Sequence, residues 1–304
     1  MDAMLRFGYQ LEEVDDADPV AAARRAEALG FDIVLVSDHV GPGPSPMLAL
    51  AAMAQATERI RLGTLVLNND MRNPVQLAWE AATLDRLSDG RFELGLGAGH
   101  TPQEYAATGI DRRDASARKA RLMESVEVIR RLFDGEEVSF HGEHLHVDRA
   151  QIDVPCQAHL PILVGGNGSA LLAHAGAHAD IIGLQGMGRM RQDGHRHAVK
   201  WNPDWLTQQI DQVRGGAGDR FGAVELNALV QVTEITASRG ASLREVCGRV
   251  EGLTVEHAEA IPYLLVGTVD EIADKIVACQ ARWGISYFIV RELEAFAPVI
   301  AAFR

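Results

Sequence analysis

Cysteine, basic residues and long apolar stretches are all scarce in this chain. The three cysteines, Cys156, Cys247 and Cys279, are far apart, and no two of them form a CxxC pair. This pattern excludes a disulfide framework or a zinc ribbon and favours the reducing cytoplasm. No stretch approaches the ~18 consecutive apolar residues of a membrane span. We therefore expect a cytoplasmic protein without a membrane partner.

The deficit of basic residues also limits the choice of binding partners. With 29 basic and 42 acidic residues, the chain carries a formal net charge of −13. Such a charge repels the phosphates of nucleic acids and anionic lipids, so neither is an expected partner. An anionic cofactor would need backbone amides or arginines placed locally around it.

Short apolar runs alternate with helical stretches along the chain. Of the 304 residues, 47% are hydrophobic, which is typical of a globular protein. Continuous runs such as Ile33 to Val36 are typical of parallel strands buried on both faces. The predicted strands cover residues 5–10, 31–36, 60–67, 91–96, 161–164, 180–184, 225–233 and 285–290.

Eight strands alternating with helices predict an α/β fold, a (β/α)8 barrel that forms one domain over residues 1–304. Two insertions interrupt the alternation. One is a hairpin within about 134–160, and the other is a lid-like loop within about 186–202, rich in glycine and arginine. The sequence also predicts a long helical region from Leu243 to Trp283.

Polar residues gather where the predicted strands end, which is where barrel enzymes place their active sites. The second strand ends in Asp38-His39, and the fourth ends in Gly97-Ala98-Gly99-His100. Histidine titrates near neutrality, so His39 and His100 are candidates for acid–base catalysis. The alternative is that they are ordinary strand-end histidines satisfied by solvent.

Two glycine-rich segments are candidate ligand sites. Gly165-Gly166-Asn167-Gly168-Ser169 opens a helix with unhindered amides and a hydroxyl, which suits a phosphate but also a tight turn. The run Gly95 to Gly99 fails the GxGxxG spacing, because His100 stands where a glycine would be needed. Its functional interpretation is close approach of a flat ring to bare backbone, and the alternative is a crowded turn. We expect an irregular connection, not a helix, to begin at Thr101-Pro102.

No metal site is expected. His141, His144 and His146 cluster in the predicted hairpin, but no acidic or sulfur-bearing residue completes four ligands there.

Several longer motifs together resemble the luciferase-like monooxygenase superfamily, in particular its coenzyme F420-dependent branch. They are Arg61-Leu62-Gly63-Thr64, Arg72-Asn73-Pro74 and the run from Ala82 to Gly99. Ala26 to Asp32, Ser37-Asp38-His39 and Pro161 to Gly166 also match, so the resemblance covers almost the whole chain.

The resemblance implies a TIM-like barrel, usually dimeric, that binds a deazaflavin or a flavin at the C-terminal mouth. It implies that His39 lies beside the reacting ring, and that Asp38 contacts the polar edge of the ring. A bulge near Thr64-Leu65, often with a non-prolyl cis peptide, would support the ring. The implied cofactor-binding residues are Asp38, Thr64, Leu65, Gly97, Ala98, Gly99, Val164, Gly165, Gly166, Asn167, Gly168, Ser169, Gly186 and Met187.

The resulting hypothesis is an oxidoreductase that transfers a hydride between coenzyme F420 and a small organic substrate. In this chain His100 stands where sugar-phosphate dehydrogenases of the family have a glutamate, which leaves the proton-transfer partner open. An FMN-dependent monooxygenase that uses reduced flavin and O2 is the alternative. A barrel that binds a flavin-like ligand without catalysis is a third hypothesis.

Overall fold

Parallel strands and helices alternate along the chain in the computed structural model, which describes residues 4–11, 18–41, 43–190 and 197–304. In chain order the strands are β1 (Arg6–Leu11), β2 (Ile33–Val36), β3 (Arg61–Thr64), β4 (Leu67–Asn68), β5 (Phe92–Gly97), β6 (Val138–His141), β7 (His146–Ala150), β8 (Ile162–Gly165), β9 (Ile181–Leu184), β10 (Met187–Met190), β11 (His197–Val199), β12 (Glu225–Leu229), β13 (Val232–Ile235), β14 (Leu264–Gly267) and β15 (Ile285–Val290).

The helices cover the outside of the barrel and carry much of the apolar core. They are α1 (Pro19–Ala28), α2 (Pro46–Ala56), α3 (Pro74–Leu87), α4 (Pro102–Thr108), α5 (Ala115–Phe133), α6 (Ser169–His178), α7 (Pro203–Ala217), α8 (Arg239–Arg249), α9 (Val255–Ala260), α10 (Val269–Trp283) and α11 (Leu293–Ala301). Short 3-10 helices lie at Asn69–Met71 and Gly218–Ala223.

The central sheet closes on itself. β1 pairs in parallel with β2 on one side and with β15 on the other, and the order continues through β12, β9, β8 and β5 to β3. β3 and β4 both pair with β5, so they share one position in an eight-position barrel. The predicted (β/α)8 barrel is therefore confirmed.

The third position of the barrel is divided by a non-prolyl cis peptide between Leu65 and Val66. The prediction placed this feature near Thr64-Leu65, one bond earlier. Because β3 ends at Thr64 and β4 begins at Leu67, the two residues of the cis bond interrupt the strand at the mouth of the barrel.

Charged side chains fill the opposite, N-terminal end of the barrel. The Glu93 carboxylate is almost fully buried and accepts from Arg6 Nη2 and Arg61 Nε, each at 2.5 Å. Arg6 Nη1 also donates to Glu225 at 2.6 Å. These ion pairs join β1, β3, β5 and β12 across the interior of the barrel.

Three details differ from the sequence-based expectation. The region Leu243–Trp283 is not continuously helical, because β14 lies within it and pairs in parallel with β13. A helix, α4, begins at Pro102, where an irregular connection was expected. The predicted strand 225–233 is two strands, β12 and β13.

The two predicted insertions differ in how much of them is described. β6 and β7 form an antiparallel hairpin at 138–150. β10 and β11 pair antiparallel, but residues 191–196 between them lie outside the described residues. The single-domain boundary at 1–304 stays a prediction.

Candidate active site

A cavity of about 900 Å³ opens at the C-terminal mouth of the barrel. Every one of the eight barrel positions contributes to its wall. The contributing residues, in chain order of the strands, are Gln10, Asp38 with His39, Leu65 with Asn68, Gly97, Gly165, Gln185, Leu229 and Arg291. Side chains from α4, α5 and α7 complete the wall.

Most of the residues predicted as the site lie in this one wall. They are Asp38, His39, Leu65, Gly97, Ala98, Gly99, His100, Gly165, Gly166, Asn167, Gly168 and Ser169. Thr64, Val164 and Gly186 lie outside it. Their predicted contacts with a cofactor stay predictions. The side chain of Met187 lies outside the described residues.

Thr64 joins two strands of the barrel. Its hydroxyl donates to the Gly95 carbonyl at 2.9 Å and accepts from the Gly95 amide at 2.8 Å. Val164 is 2% exposed and belongs to the apolar core. Gly186 has a φ of +65°, and a Cβ there would overlap the Trp201 ring.

His39 contacts a buried carboxylate in the cavity wall. Its Nδ1 lies 2.7 Å from Glu104 Oε1, while its side chain is 42% exposed and that of Glu104 only 9%. An ionised carboxylate accepts a hydrogen bond from Nδ1–H, which leaves Nε2 as the nitrogen available to a ligand. The His100 ring stands perpendicular to it, with 6.0 Å between ring centroids.

Asp38 has partners for both of its oxygens. Arg72 donates to Oδ1 at 2.9 Å and to Oδ2 at 3.2 Å, and the Asn68 backbone amide donates to Oδ2 at 2.8 Å. The carboxylate therefore ties the end of β2 to β4 and holds the interrupted third strand in place. Its predicted contact with a ring edge stays a prediction.

Bare backbone surrounds Val66 in the cavity wall. A Cβ at Gly97 would lie 2.6 Å from Val66 Cγ2, and a Cβ at Gly165 would lie 3.1 Å from Val66 Cγ1. Only glycine fits at Gly97 without displacing Val66, because real Cβ atoms do not approach other carbons so closely. The result is an apolar seat between β4, β5 and β8.

Asn68 presents an unsatisfied donor beside this seat. It is 6% exposed, and its Oδ1 accepts from the Asp70 amide at 3.1 Å and from Tyr105 Oη at 3.4 Å. Within the described residues, its buried Nδ2 has no hydrogen-bond partner. A buried amide nitrogen without a partner marks a position where a ligand can accept a hydrogen bond.

Positive charge lies in the cavity wall where α5 meets the start of α6. Gly168, with φ of +102°, precedes α6, and its Cβ position lies 3.0 Å from Lys119 Nζ. Burial, followed by repulsion from Arg118, lowers the pKa of Lys119. An anion at the N-terminus of α6 would meet helix amides and this ammonium together.

The cavity as a whole is cationic although the chain is strongly acidic. The cationic side chains of its wall are Arg112, Arg118, Lys119, Lys200 and Arg291. Two of them also support the loop after β5: Arg118 Nε donates to the Gly99 carbonyl at 3.1 Å, and Arg112 Nη2 donates to the His100 carbonyl at 3.1 Å. In the described part of the chain, no group of three metal-ligating side chains is present.

The family model described as luciferase-like monooxygenase matches residues 8–198, which is more than half of the chain. The chain belongs to this family. The resemblance stated from the sequence motifs is therefore confirmed.

Curated proteins are similar to this member of the family over more than half of its length. An F420-dependent glucose-6-phosphate dehydrogenase of Amycolatopsis mediterranei is 34% identical over 222 residues, covering 69% of this chain and 67% of that enzyme. The enzyme of the same name from Nakamurella multipartita is 37% identical over 187 residues. That match covers 58% of this chain and 55% of the relative, so this chain spans little more than half the length of that relative.

Solved structures share the luciferase-like fold over nearly the whole chain. The structure of an F420-dependent secondary alcohol dehydrogenase with an F420–acetone adduct covers 99% of this chain and 100% of that one, with a TM-score of 0.78 and 21% identity. The F420-dependent tetrahydromethanopterin reductase of Methanopyrus kandleri covers 98% of this chain and 97% of that one, with a TM-score of 0.75 and 20% identity.

Sequence reasoning missed several members of this luciferase-like site. Glu104 and Lys119 were not predicted, although both lie in the wall. The sequence did contain a signal for Glu104. Proline is common in the first turn of a helix, as Pro102 is in α4, and glycine is common just after the end, as Gly109 is. Glu104 would then lie in the first turn of a helix that follows β5, with the β3–β4 position between it and the end of β2 that carries His39.

Within the described ranges, no helix is both long and apolar enough to cross a bilayer.

Proposed function

We propose that the chain is an F420-dependent oxidoreductase that transfers a hydride between coenzyme F420 and a small organic substrate at the mouth of the barrel. The curated relatives are F420-dependent glucose-6-phosphate dehydrogenases, which supports the same cofactor here. The observation that carries the proposal is one cavity that combines the seat at Val66, the His39–Glu104 pair and the Lys119 ammonium beside the start of α6.

The wall fits the chemistry of F420 residue by residue. An apolar seat lined by Gly97 and Gly165 suits a flat deazaflavin ring, and the unpartnered Asn68 Nδ2 suits a carbonyl on the edge of that ring. The amides before α6 and Lys119 suit the phosphate. The further cations around the cavity suit the carboxylates of the F420 tail, which FMN lacks.

F420 supplies hydride transfer at C5 of its deazaflavin when it is bound. The residues of this chain would position the substrate and accept its proton. The cavity would hold a substrate carbon against the ring, which removes much of the entropic barrier. As a substrate alcohol loses a hydride from carbon, His39 Nε2 would accept the hydroxyl proton. Glu104 would hold the imidazole of His39 in place through Nδ1.

Equilibrium titration of the purified protein with F420 and with FMN tests the cofactor. We expect F420 to bind at least tenfold more tightly, because the cavity presents cations beyond those that one phosphate requires. Tight binding of FMN alone would contradict the proposal and favour an oxygen-dependent monooxygenase.

Replacing the imidazole tests the chemistry. His39→Asn should lower kcat by about 10²-fold, the contribution of a positioned acid or base. The dissociation constant for F420 should stay within about twofold. His146→Asn, on the exposed hairpin β6–β7, is the matched control and should behave as wild type. Unchanged turnover in folded His39→Asn protein would remove this histidine from the mechanism.

The proposal extends to a cytoplasmic homodimer. Leu48 on α2 and Trp79 on the neighbouring α3 are 75% and 64% exposed, which is unusual for such large apolar side chains. Light scattering of wild type should give twice the mass of the chain, and Trp79→Glu should shift it toward the monomer. A monomeric wild type would contradict this part of the proposal.

A further inference from the structure

One face of α7 presents amides and an indole to the cavity. Trp205, Gln208, Gln209 and Gln212 all line it, and their spacing of three, one and three residues places them on one side of the helix. The core side of α7 is apolar through Leu206, Ile210 and Val213. The side that lines the cavity carries three glutamines instead, of which Gln208 is exposed, Gln212 is half-buried and Gln209 is buried.

Gln209 is the most informative residue of the four. It is 4% exposed, and it lies beside Leu206 and Ile210, which are buried in the core. Within the described residues, its buried Oε1 has no hydrogen-bond partner. A buried acceptor without a donor opposes folding, so its place in the wall is best explained by a ligand that donates to it.

The position of α7 is set by contacts that do not involve a ligand. A Cβ at Gly176 on α6 would overlap the Val213 carbonyl, so the two helices approach as closely as backbone allows. Trp283 Nε1 donates to Thr207 Oγ1 at 3.0 Å, and the Asn202 side chain caps the first turn of α7. The glutamine face is therefore preorganised toward the cavity.

The hydrogen-bonding groups on this side of α7 favour a hydroxyl over an anionic group as the ligand. Carboxylates and phosphates accept hydrogen bonds and do not donate them, so the anionic parts of a cofactor cannot satisfy Gln209 Oε1. A hydroxyl can do so, and its oxygen can also accept from the amides of Gln208 and Gln212. Trp205 adds a flat apolar surface, and Lys200 Nζ lies 5.3 Å from the centre of its ring.

We propose that the α7 face, formed by Trp205, Gln208, Gln209 and Gln212, is the substrate-recognition wall and selects a hydroxyl-rich organic substrate. Gln209 accepts a hydrogen bond from one substrate hydroxyl. The carbon skeleton of the substrate packs on Trp205. This inference rests on the proposed function, because it assigns the substrate part of the same cavity.

Calorimetric titration of the F420-loaded protein tests the wall. The probes are glucose, glucose 6-phosphate and 2-propanol, which differ in the number of hydroxyls and in charge. We expect a hydroxyl-rich probe to bind at least tenfold more tightly than 2-propanol. Gln209→Leu should weaken that probe by about tenfold, since an uncharged hydrogen bond to a buried group is lost. The F420 dissociation constant, measured by fluorescence, should stay within twofold.

Further variants separate recognition from folding. Gln212→Leu, at a half-exposed position of the face, should weaken the hydroxyl-rich probe to a smaller extent. Gln209→Asn keeps an amide and should retain part of the affinity lost in Gln209→Leu. Asp211→Asn, on the solvent side of α7 beside Arg214, is the matched control and should leave both ligands unaffected.

Three results would overturn the inference. These are equal binding of 2-propanol and the sugars, unchanged sugar binding in folded Gln209→Leu and Gln212→Leu, or a loss of F420 affinity in place of sugar affinity. The last would make the face a cofactor-tail site. A wild-type chain that fails to bind F420 would contradict the proposed function instead, and titration of the sugars into the unloaded chain would then still decide the role of the wall.

Discussion

At the scale of single residues, Glu104 decides which nitrogen of His39 faces the cavity. The strand-end residues Asp38 and His39 could be predicted because all parallel strands of a barrel end at the same mouth. Glu104 could not be predicted from this rule, since it comes from a helix in a loop expected to be irregular. The pairing of a strand end with a residue 65 positions later is a tertiary contact that local patterns do not encode.

Glu104→Gln should lower kcat while leaving KM for the substrate nearly unchanged. The neutral amide can still contact Nδ1, but it no longer stabilises positive charge on the imidazole as the proton is accepted, so we expect a loss of about tenfold or more. Steady-state kinetics with F420 measures this. Glu136→Gln, at an exposed ion pair with Arg131, is the control. A proportional rise in KM with constant kcat would assign Glu104 to substrate binding instead.

At the scale of helices and strands, short apolar runs in the sequence predicted the barrel strands, because the strands of a parallel sheet are covered on both faces. β14 was missed because its sequence, Leu-Leu-Val-Gly, is too short to be distinguished from a buried turn of helix. The close approach of α6 and α7 was also beyond prediction. It depends on two glycines, Gly176 and Gly216, that meet the backbone of the opposite helix only in the folded chain.

Adjacent glycines of α7 provide an internally controlled test of that packing. Gly216→Ala should lower the free energy of unfolding by about 2 kcal/mol, because its Cβ would overlap the Ala173 carbonyl. Gly215→Ala meets no atom within 4 Å and should raise it by roughly 0.5 to 1 kcal/mol through lower chain entropy. Urea unfolding compares the two, and equal effects would contradict the close contact.

The stability of α6 should depend on pH through His174. Burial, and to a smaller extent His178, lowers the pKa of His174 to about 4 from 6.5. The unfolded chain therefore binds more protons in this interval, and stability is lost as the pH falls through it. Allowing for partial solvent exposure, we expect a loss of about 1 kcal/mol.

His174→Gln should reduce this loss, since glutamine does not titrate. Unfolding free energies measured for both proteins across the interval give the comparison. The same acid-induced loss in wild type and variant would show that His174 does not contribute.

At the scale of the whole molecule, charged groups gather at both ends of the barrel. Cationic side chains line the cavity at the mouth. The N-terminal end has its charges paired, through Glu93 with Arg6 and Arg61. Removing one member of a buried ion pair leaves the other charge uncompensated. This destabilises the fold more than replacing both members by apolar residues would.

Glu93→Gln should therefore destabilise the entire barrel, by about 3 kcal/mol, without altering F420 affinity. Thermal unfolding and the F420 titration together measure this. Glu136→Gln should change stability by less than about 1 kcal/mol, as expected for an exposed pair. A stable Glu93→Gln protein with weakened F420 binding would show that the two ends of the barrel are coupled.

The pairing of β1 with β15 sets a constraint on biosynthesis. Arg6 lies opposite Tyr287 in the sheet, so β1 gains its second neighbour only after β15 has been synthesised. Until then, β1 and β12 are sheet edges with unpaired amides and carbonyls. Nascent chains that stop short of β15 should thus be the aggregation-prone species and the ones that depend on chaperones.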